Sequence, residues 1–223
     1  MGMADRRVTI LEAATRMIAQ AGVRGLRVER IAEAAGVSTA LIYYHFTDRA
    51  GLLRETLAFI ADRADRYTAP DPDSLDARSV LEQVLLRELQ DTEDVRENST
   101  AWGELRSTAI FEDYLRDQLR DSTRQWITDI TELAAKALAE QSRAESADHP
   151  GLSTGGPSTG GPSTGGPSAS HPGASTGDPA AIAERLTALV EGLSERWLSG
   201  SIPLARAQHM LRDSIRIELS AAH

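Results

Sequence analysis

The chain of 223 residues contains no cysteine. That excludes disulfides and thiolate metal sites, and it suits a reducing compartment. Aromatic residues are scarce, with three Trp, four Tyr and three Phe, so any cluster of them stands out. Lysine is scarcer: among 24 basic residues, Lys136 alone is not arginine. No apolar run approaches the roughly 18 residues that a membrane-spanning helix needs, and strand-like alternation is missing. The opening "MGMADRRVTILEAA" carries charges and then an amphipathic pattern, not the apolar stretch and cleavage site of an export signal. A cytoplasmic protein with no membrane partner is expected.

Catalytic constellations are missing too. Histidines at 45, 149, 171, 209 and 223 form no metal-ligand pair at helical spacing. No Gly-rich phosphate loop follows a strand, and no nucleophile stands with a base in a defensible set. The sequence therefore implies no enzyme activity, no cofactor and no metal site.

What is present is charge asymmetry and helical periodicity. Net charge is −9, but residues 1–50 hold seven arginines against five acids. The other 173 residues hold 17 basic residues against 28 acids. A mildly basic end on an acidic body suggests one polyanion-facing segment. Leu11, Ala14, Ile18 and Ala21 repeat at helical spacing, and Gly22 stops that helix. A second helix is predicted over about Val28–Ala35, a turn at Gly36-Val37-Ser38, and a third helix over about Thr39–Phe46 with Ser38 as its cap. Asp48 caps a fourth, which ends before Pro70. "DPDS" (71–74) reads as a loop whose Ser74 caps a fifth helix. The polar stretch 91–99 reads as a break, Ala101–Phe111 as a sixth helix, and a long seventh starts near Glu112.

"STGGP" then occurs three times in tandem, at 153–157, 158–162 and 163–167. Gly, Pro, Ser and Thr dominate from about 146 to 177, a composition that reads as a disordered linker. Two more helices follow, over about 180–200 and 203–219. The fold class is all-α: a three-helix N-terminal unit over 1–48 and a larger helical unit over 49–223 that the linker interrupts.

Helix, glycine-containing turn and helix form a helix-turn-helix arrangement. Ile31, Ala35, Ile42 and Phe46 can make its core with Leu11 and Ile18. Thr39, Ala40, Tyr43, Tyr44 and His45 are left on or near the open side of the third helix. Small residues first and rings with polar tips later suit the major groove, which admits a helix. Thr39 can bond a base edge or phosphate, and Ala40 and Leu41 can touch thymine methyls. Tyr43, Tyr44 and His45 can donate to phosphates, with Arg27 and Arg49 flanking them. Ordinary core packing is the competing reading for the rings, and it suits Phe46 and in part Tyr43.

The stretch 9–53 resembles the DNA-binding domain of TetR-family transcriptional regulators, through "ILEAA", "IAEAAGVS" and "LIYYHF" in that order and spacing. "AWGELRSTA" (101–109) and "LVEGLSERWLSG" (189–200) are similar to later helices of such proteins. The resemblance implies a homodimer on a palindromic double-stranded DNA operator, released by an unknown small-molecule effector. It places Ser38, Thr39, Ala40, Leu41, Tyr43, Tyr44, His45 and Arg49 at DNA. Thr47 stands where lysine is common, and Arg27 where a capping Ser or Thr is usual. Glu29 lies beside the groove, where it either accepts from a cytosine amine or pairs with Arg30.

Two further sets are expectations. Trp102, Arg106, Phe111 and Trp126 are candidates for an effector pocket. Arg106 either neutralises an acidic ligand or pairs with Glu104 or Asp113. Leu186, Leu189, Val190, Leu193, Trp197, Leu204, Leu211 and Ile215 form apolar stripes that cover the core, a dimer seam, or both. The alternatives to a ligand-responsive repressor are a sequence-nonspecific architectural DNA-binding protein and a helical interaction protein without an effector.

Overall fold

The computed structural model describes residues 3–70, 76–148 and 177–220. Among them regular structure is helical throughout: α1 (Met3–Gly25), α2 (Val28–Ala35), α3 (Thr39–Phe46), α4 (Arg49–Thr68), α5 (Ala77–Arg87), α6 (Glu93–Ala109), α7 (Arg116–Asp148), α8 (Pro179–Leu198) and α9 (Leu204–Ser220). A single 3-10 turn at Asp113–Leu115 precedes α7.

The first four helices are built as their sequence suggests. α1 buries Ile10, Leu11, Ala14 and Ile18, positions one helical face apart. Gly22 does not end it. It takes φ 69° and ψ 167°, breaks the helix, and a last turn follows that buries Val23. α2 and α3 have the expected bounds. Ser38 Oγ accepts from the Leu41 amide at 3.2 Å, closing the first turn of α3. Thr47 then sits at φ 64°, ψ −54°, and the Asp48 amide donates to Phe46 O at 2.6 Å. That is a γ-turn, a strained conformation for a β-branched residue. It reverses the chain at once into α4, where Asp48 Oδ1 accepts from the Gly51 amide at 2.6 Å.

Later boundaries differ from expectation. Ser74 lies outside the described residues, and the cap of α5 is Asp76, whose Oδ1 accepts from the Ser79 amide at 2.8 Å. The polar stretch 91–99 is mostly helix, because Thr92 caps α6 and Glu93 and Asp94 occupy its positive first turn. Acids and a threonine there are a helix start, not a break. α6 ends at Ala109, so Ile110 and Phe111 lie beyond it. The long helix runs to Asp148, two residues past the expected start of the linker. The STGGP repeats lie outside the described residues.

Packing divides into two apolar clusters. One joins α1–α4 to Ala101, Leu105 and Ala109 of α6 and to Leu115. The other joins α5, α7, α8 and α9 around Leu81, Leu85, Ile130, Leu186, Leu193, Leu211 and Ile215. Val95, near the start of α6, belongs to this second cluster. α6 thus bridges the N-terminal helices and the body.

Candidate functional site

The third helix presents two rings outward. Tyr44 is 70% exposed and Tyr43 is 47% exposed, whereas Ile42 and Phe46 are buried against α1 and α2. Ala40 is open and Thr39 and Leu41 are half-buried. The Ser38 side chain is spent on the cap. Arg27 holds the extended position before α2, with no side-chain cap there, and its side chain is exposed. Glu29 and Arg30 are exposed as well, without an ion pair between them. These residues form one polar, ring-bearing surface beside the exposed Arg27 guanidinium.

Two residues expected there have other work. His45 is half-buried with its ring 5.4 Å from Tyr44 and 5.9 Å from Phe46, and its Nε2 is enclosed without a partner. That atom does not open to solvent in the free chain. The cause is position: His45 lies between the open side carrying Tyr44 and the core side carrying Phe46. Arg49 Nη2 donates to Val23 O at 2.6 Å. It ties the start of α4 to the broken end of α1 and leaves only part of its donor set for DNA.

A second site lies in the body. A cavity of about 280 Å³ opens among α4, α6, α7, α8 and the end of α5. Trp102, Arg106 and Trp126 line it. Phe111 does not: it is 76% exposed on the turn after α6. An aromatic beyond the helix end is not held toward the interior. Arg106 binds neither Glu104 nor Asp113. Its Nη1 donates to Glu191 at 2.8 Å and its Nη2 to Glu195. Trp102 Nε1 also donates to Glu191, at 3.1 Å. The guanidinium is neutralised by its own chain and is not offered to an acidic ligand.

Sequence reasoning missed the acids and polar groups of the cavity. Glu88 and Tyr67 face each other, with the Tyr67 hydroxyl donating to Glu88 Oε2 at 2.9 Å. Enclosure pushes the Glu88 carboxyl up to about 7, opposed by that hydrogen bond and raised further by Asp65. Enclosure and the Glu88 charge also push the Tyr67 hydroxyl up. Asp65 is raised by desolvation and by Asp129 and Asp62. Asn98 is buried; its Nδ2 donates to Ile60 O at 3.1 Å and to the Tyr67 hydroxyl at 3.3 Å, while its Oδ1 has no partner. Ser194 Oγ has none either. No local motif announces these residues, which come from segments far apart in the chain.

The expected dimer seam needs correction. Leu186, Val190, Leu193, Trp197, Leu211 and Ile215 are all buried inside this chain's own core. Only Leu189 and Leu204 of that set are partly exposed. The apolar stripe reported a core face. The outward sides of α8 and α9 instead show Ile217, 58% exposed, with Leu198 and Met210 partly so.

Among the described residues, no group of three or more His, Asp or Glu side chains could hold a metal ion. No described helix is long and apolar enough to cross a membrane.

Known proteins share this architecture. The sequence profile of the bacterial regulatory proteins, tetR family, matches residues 10–56. A crystal structure of a TetR-family transcriptional regulator from Rhodococcus sp. is 38% identical, covers 97% of this chain and 99% of its own, and superposes with a TM-score of 0.74. The transcriptional regulator BetI of Burkholderia thailandensis is 28% identical over 152 residues, 66% of this chain and 77% of that one. The transcriptional repressor KstR2 of Rhodococcus jostii is 32% identical over 85 residues, and the chain spans only 42% of its length. A transcriptional regulator from Saccharomonospora viridis, solved in complex with choline, is 24% identical with a TM-score of 0.70 and covers 96% of both chains.

Proposed function

The chain belongs to the TetR family of bacterial regulatory proteins and is a DNA-binding transcriptional regulator; from that premise we propose that it is a ligand-responsive repressor, bound to a palindromic operator as a homodimer and released when a small molecule fills the cavity. Residues 1–48 are the reading head and 49–223 the effector-binding and dimerisation unit. Thr39, Ala40, Leu41, Tyr43 and Tyr44 meet the groove, and Arg27 meets a phosphate. Ser38, His45 and Arg49 hold the reading helix in place.

One observation carries the coupling. α6 lines the cavity with Asn98, Trp102 and Arg106, and the same helix holds the head through Glu104, whose Oε2 accepts from the Val23 amide at 3.3 Å. The amide belongs to the residue just after the Gly22 break. A shift of α6 on ligand binding therefore acts on a point where α1 is already bent. Two heads must fit grooves about one turn apart, roughly 34 Å, so a small change in their spacing ends the fit. The shift is bounded by how differently the ligand binds the two states.

The dimer reading rests on the palindromic operator expected for such regulators and on Ile217, exposed on the outer side of α9. The choline complex of the Saccharomonospora viridis protein supports an effector of small-molecule size for a cavity in this fold.

Sequencing of genomic fragments captured by the purified chain, followed by gel shift on the recovered site, tests the proposal. Expected are a palindrome, two chains per site, and loss of the shifted band on adding effector. Equal affinity for a scrambled duplex would favour a nonspecific architectural protein and overturn it.

A further inference from the structure

We propose that the cavity selects a small organic cation bearing a hydrogen-bond donor, an amine or an ammonium alcohol, and excludes anions. The assignment rests on reading this cavity as the effector site. Its wall carries six carboxylates, Asp62, Asp65, Glu88, Asp121, Glu191 and Glu195, against Arg106 as the one cationic side chain. Glu191 and Glu195 are satisfied by Arg106, and by Trp102 in the case of Glu191. Glu88 has no cation beside it; its one hydrogen-bond donor is the Tyr67 hydroxyl. Asp65 stands near enough to raise it further. Arg66 offsets the Asp65 charge only in part and does not act on Glu88, so the two carboxylates form a deficit that an incoming cation removes.

Two independent features point the same way. Asn98 Oδ1 and Ser194 Oγ are unpartnered on residues at least nine-tenths buried, and both residues line the cavity. The Asn98 orientation is fixed, since its Nδ2 donates to Ile60 O. Its free atom is an acceptor enclosed at the cavity wall and left without a donor. The rings of Tyr67, Trp102 and Trp126 add walls of the kind that attract ammonium groups. Asp62, Asp65 and Asp121 are exposed, so they also draw cations toward the opening. A volume of about 280 Å³ lies at the small end of the range of ligand pockets. That suits a compact molecule and not a lipid-sized chain.

The test uses four ligands of one skeleton on the full-length protein: benzylamine, benzyltrimethylammonium, benzyl alcohol and benzoate. Binding is read by calorimetry and by tryptophan fluorescence, since Trp102 and Trp126 flank the cavity. Benzylamine should bind most tightly, benzyltrimethylammonium next. Benzyl alcohol and benzoate should be at least tenfold weaker. D65N and E88Q should each lower benzylamine affinity about tenfold while D65E retains it. Melting temperatures no lower than that of the wild type, and unchanged operator affinity, in the ligand-free variants show that the fold survives. Benzoate or benzyl alcohol binding as well as benzylamine overturns the proposal, as does benzylamine binding that ignores both substitutions. So does the absence of binding by either cation at millimolar concentration. The regulator reading fails separately, if the ligand-free chain does not prefer a palindrome.

Discussion

At the scale of single residues, Glu88 sets a pH dependence whose sign follows from its surroundings. Its carboxyl is held at about 7 in the folded chain, against 4.5 when free. Between those values the folded protein keeps a proton that the unfolded chain releases. Stability from this group is therefore intact below pH 4.5, falls as pH rises through the window, and levels off above 7. Tyr67 and Asp65 of α4, and Asn98 of α6, are the polar groups grouped with it, and none supplies a positive charge. Glu88→Gln keeps the acceptor for the Tyr67 hydroxyl and removes the titration. The variant should gain on the wild type by a few kcal/mol, at roughly 1.4 kcal/mol per pH unit, in urea melts taken at pH 8 compared with pH 4.5. A constant difference across that range would refute the assignment. Tyr44 makes the opposite kind of prediction. It is 70% exposed, so Tyr44→Ala should leave the melting temperature unchanged and weaken operator binding about tenfold, or ~1.4 kcal/mol. Tyr44 could be read from the sequence because its neighbours Ile42 and Phe46 claim the core side of a short helix. Glu88 could not. A lone acid at a helix end looks solvated until four other segments close over it.

At the scale of elements, the same limit divides what the sequence showed from what it hid. α2 and α3 were legible to the residue, because the Gly36 turn, the Ser38 cap and the apolar spacing agree, although Arg27 gives α2 no side-chain cap. Gly22 was legible as an interruption but not as a bend inside one helix, since the resumption depends on Val23 packing and on Glu104 from 81 residues away. A Cβ at Gly22 would approach Glu104 Oε2 to 2.8 Å, which shows how closely α6 sits on this break. Glu104→Ala removes the acceptor of the Val23 amide without touching the cavity lining. Ligand affinity measured without DNA should then be unchanged, while the factor by which ligand weakens operator binding drops severalfold, within the 1–3 kcal/mol typical of such couplings. A coupling factor equal to the wild type would mean that the signal bypasses this contact.

At the scale of the whole molecule, the apolar stripes of α8 and α9 show why a one-dimensional pattern cannot name its partner. The spacing of Leu186, Val190, Leu193, Leu211 and Ile215 reports that one face is covered, and α5 and α7 of the same chain do the covering. A seam between two chains must then use what remains outside. Met210 and Ile217 are seven residues apart, about two turns, and so share a side of α9. Ile217 is 58% exposed, an unusual place for a large β-branched residue on a body rich in exposed charge. Residues 51–223 carry the negative excess of the chain, which should repel DNA and confine contact to the heads. Such heads bind one half-site weakly, and high affinity depends on joining two of them. Ile217→Glu should preserve helicity and melting in dilute solution, because its side chain packs against little of its own chain. In sedimentation it should shift the protein from dimer to monomer at micromolar concentration, by placing like charges across the twofold axis. Operator affinity should fall a hundredfold or more, while binding to an isolated half-site stays as it was. A dimer that persists in this variant would move the seam away from the outer side of α9.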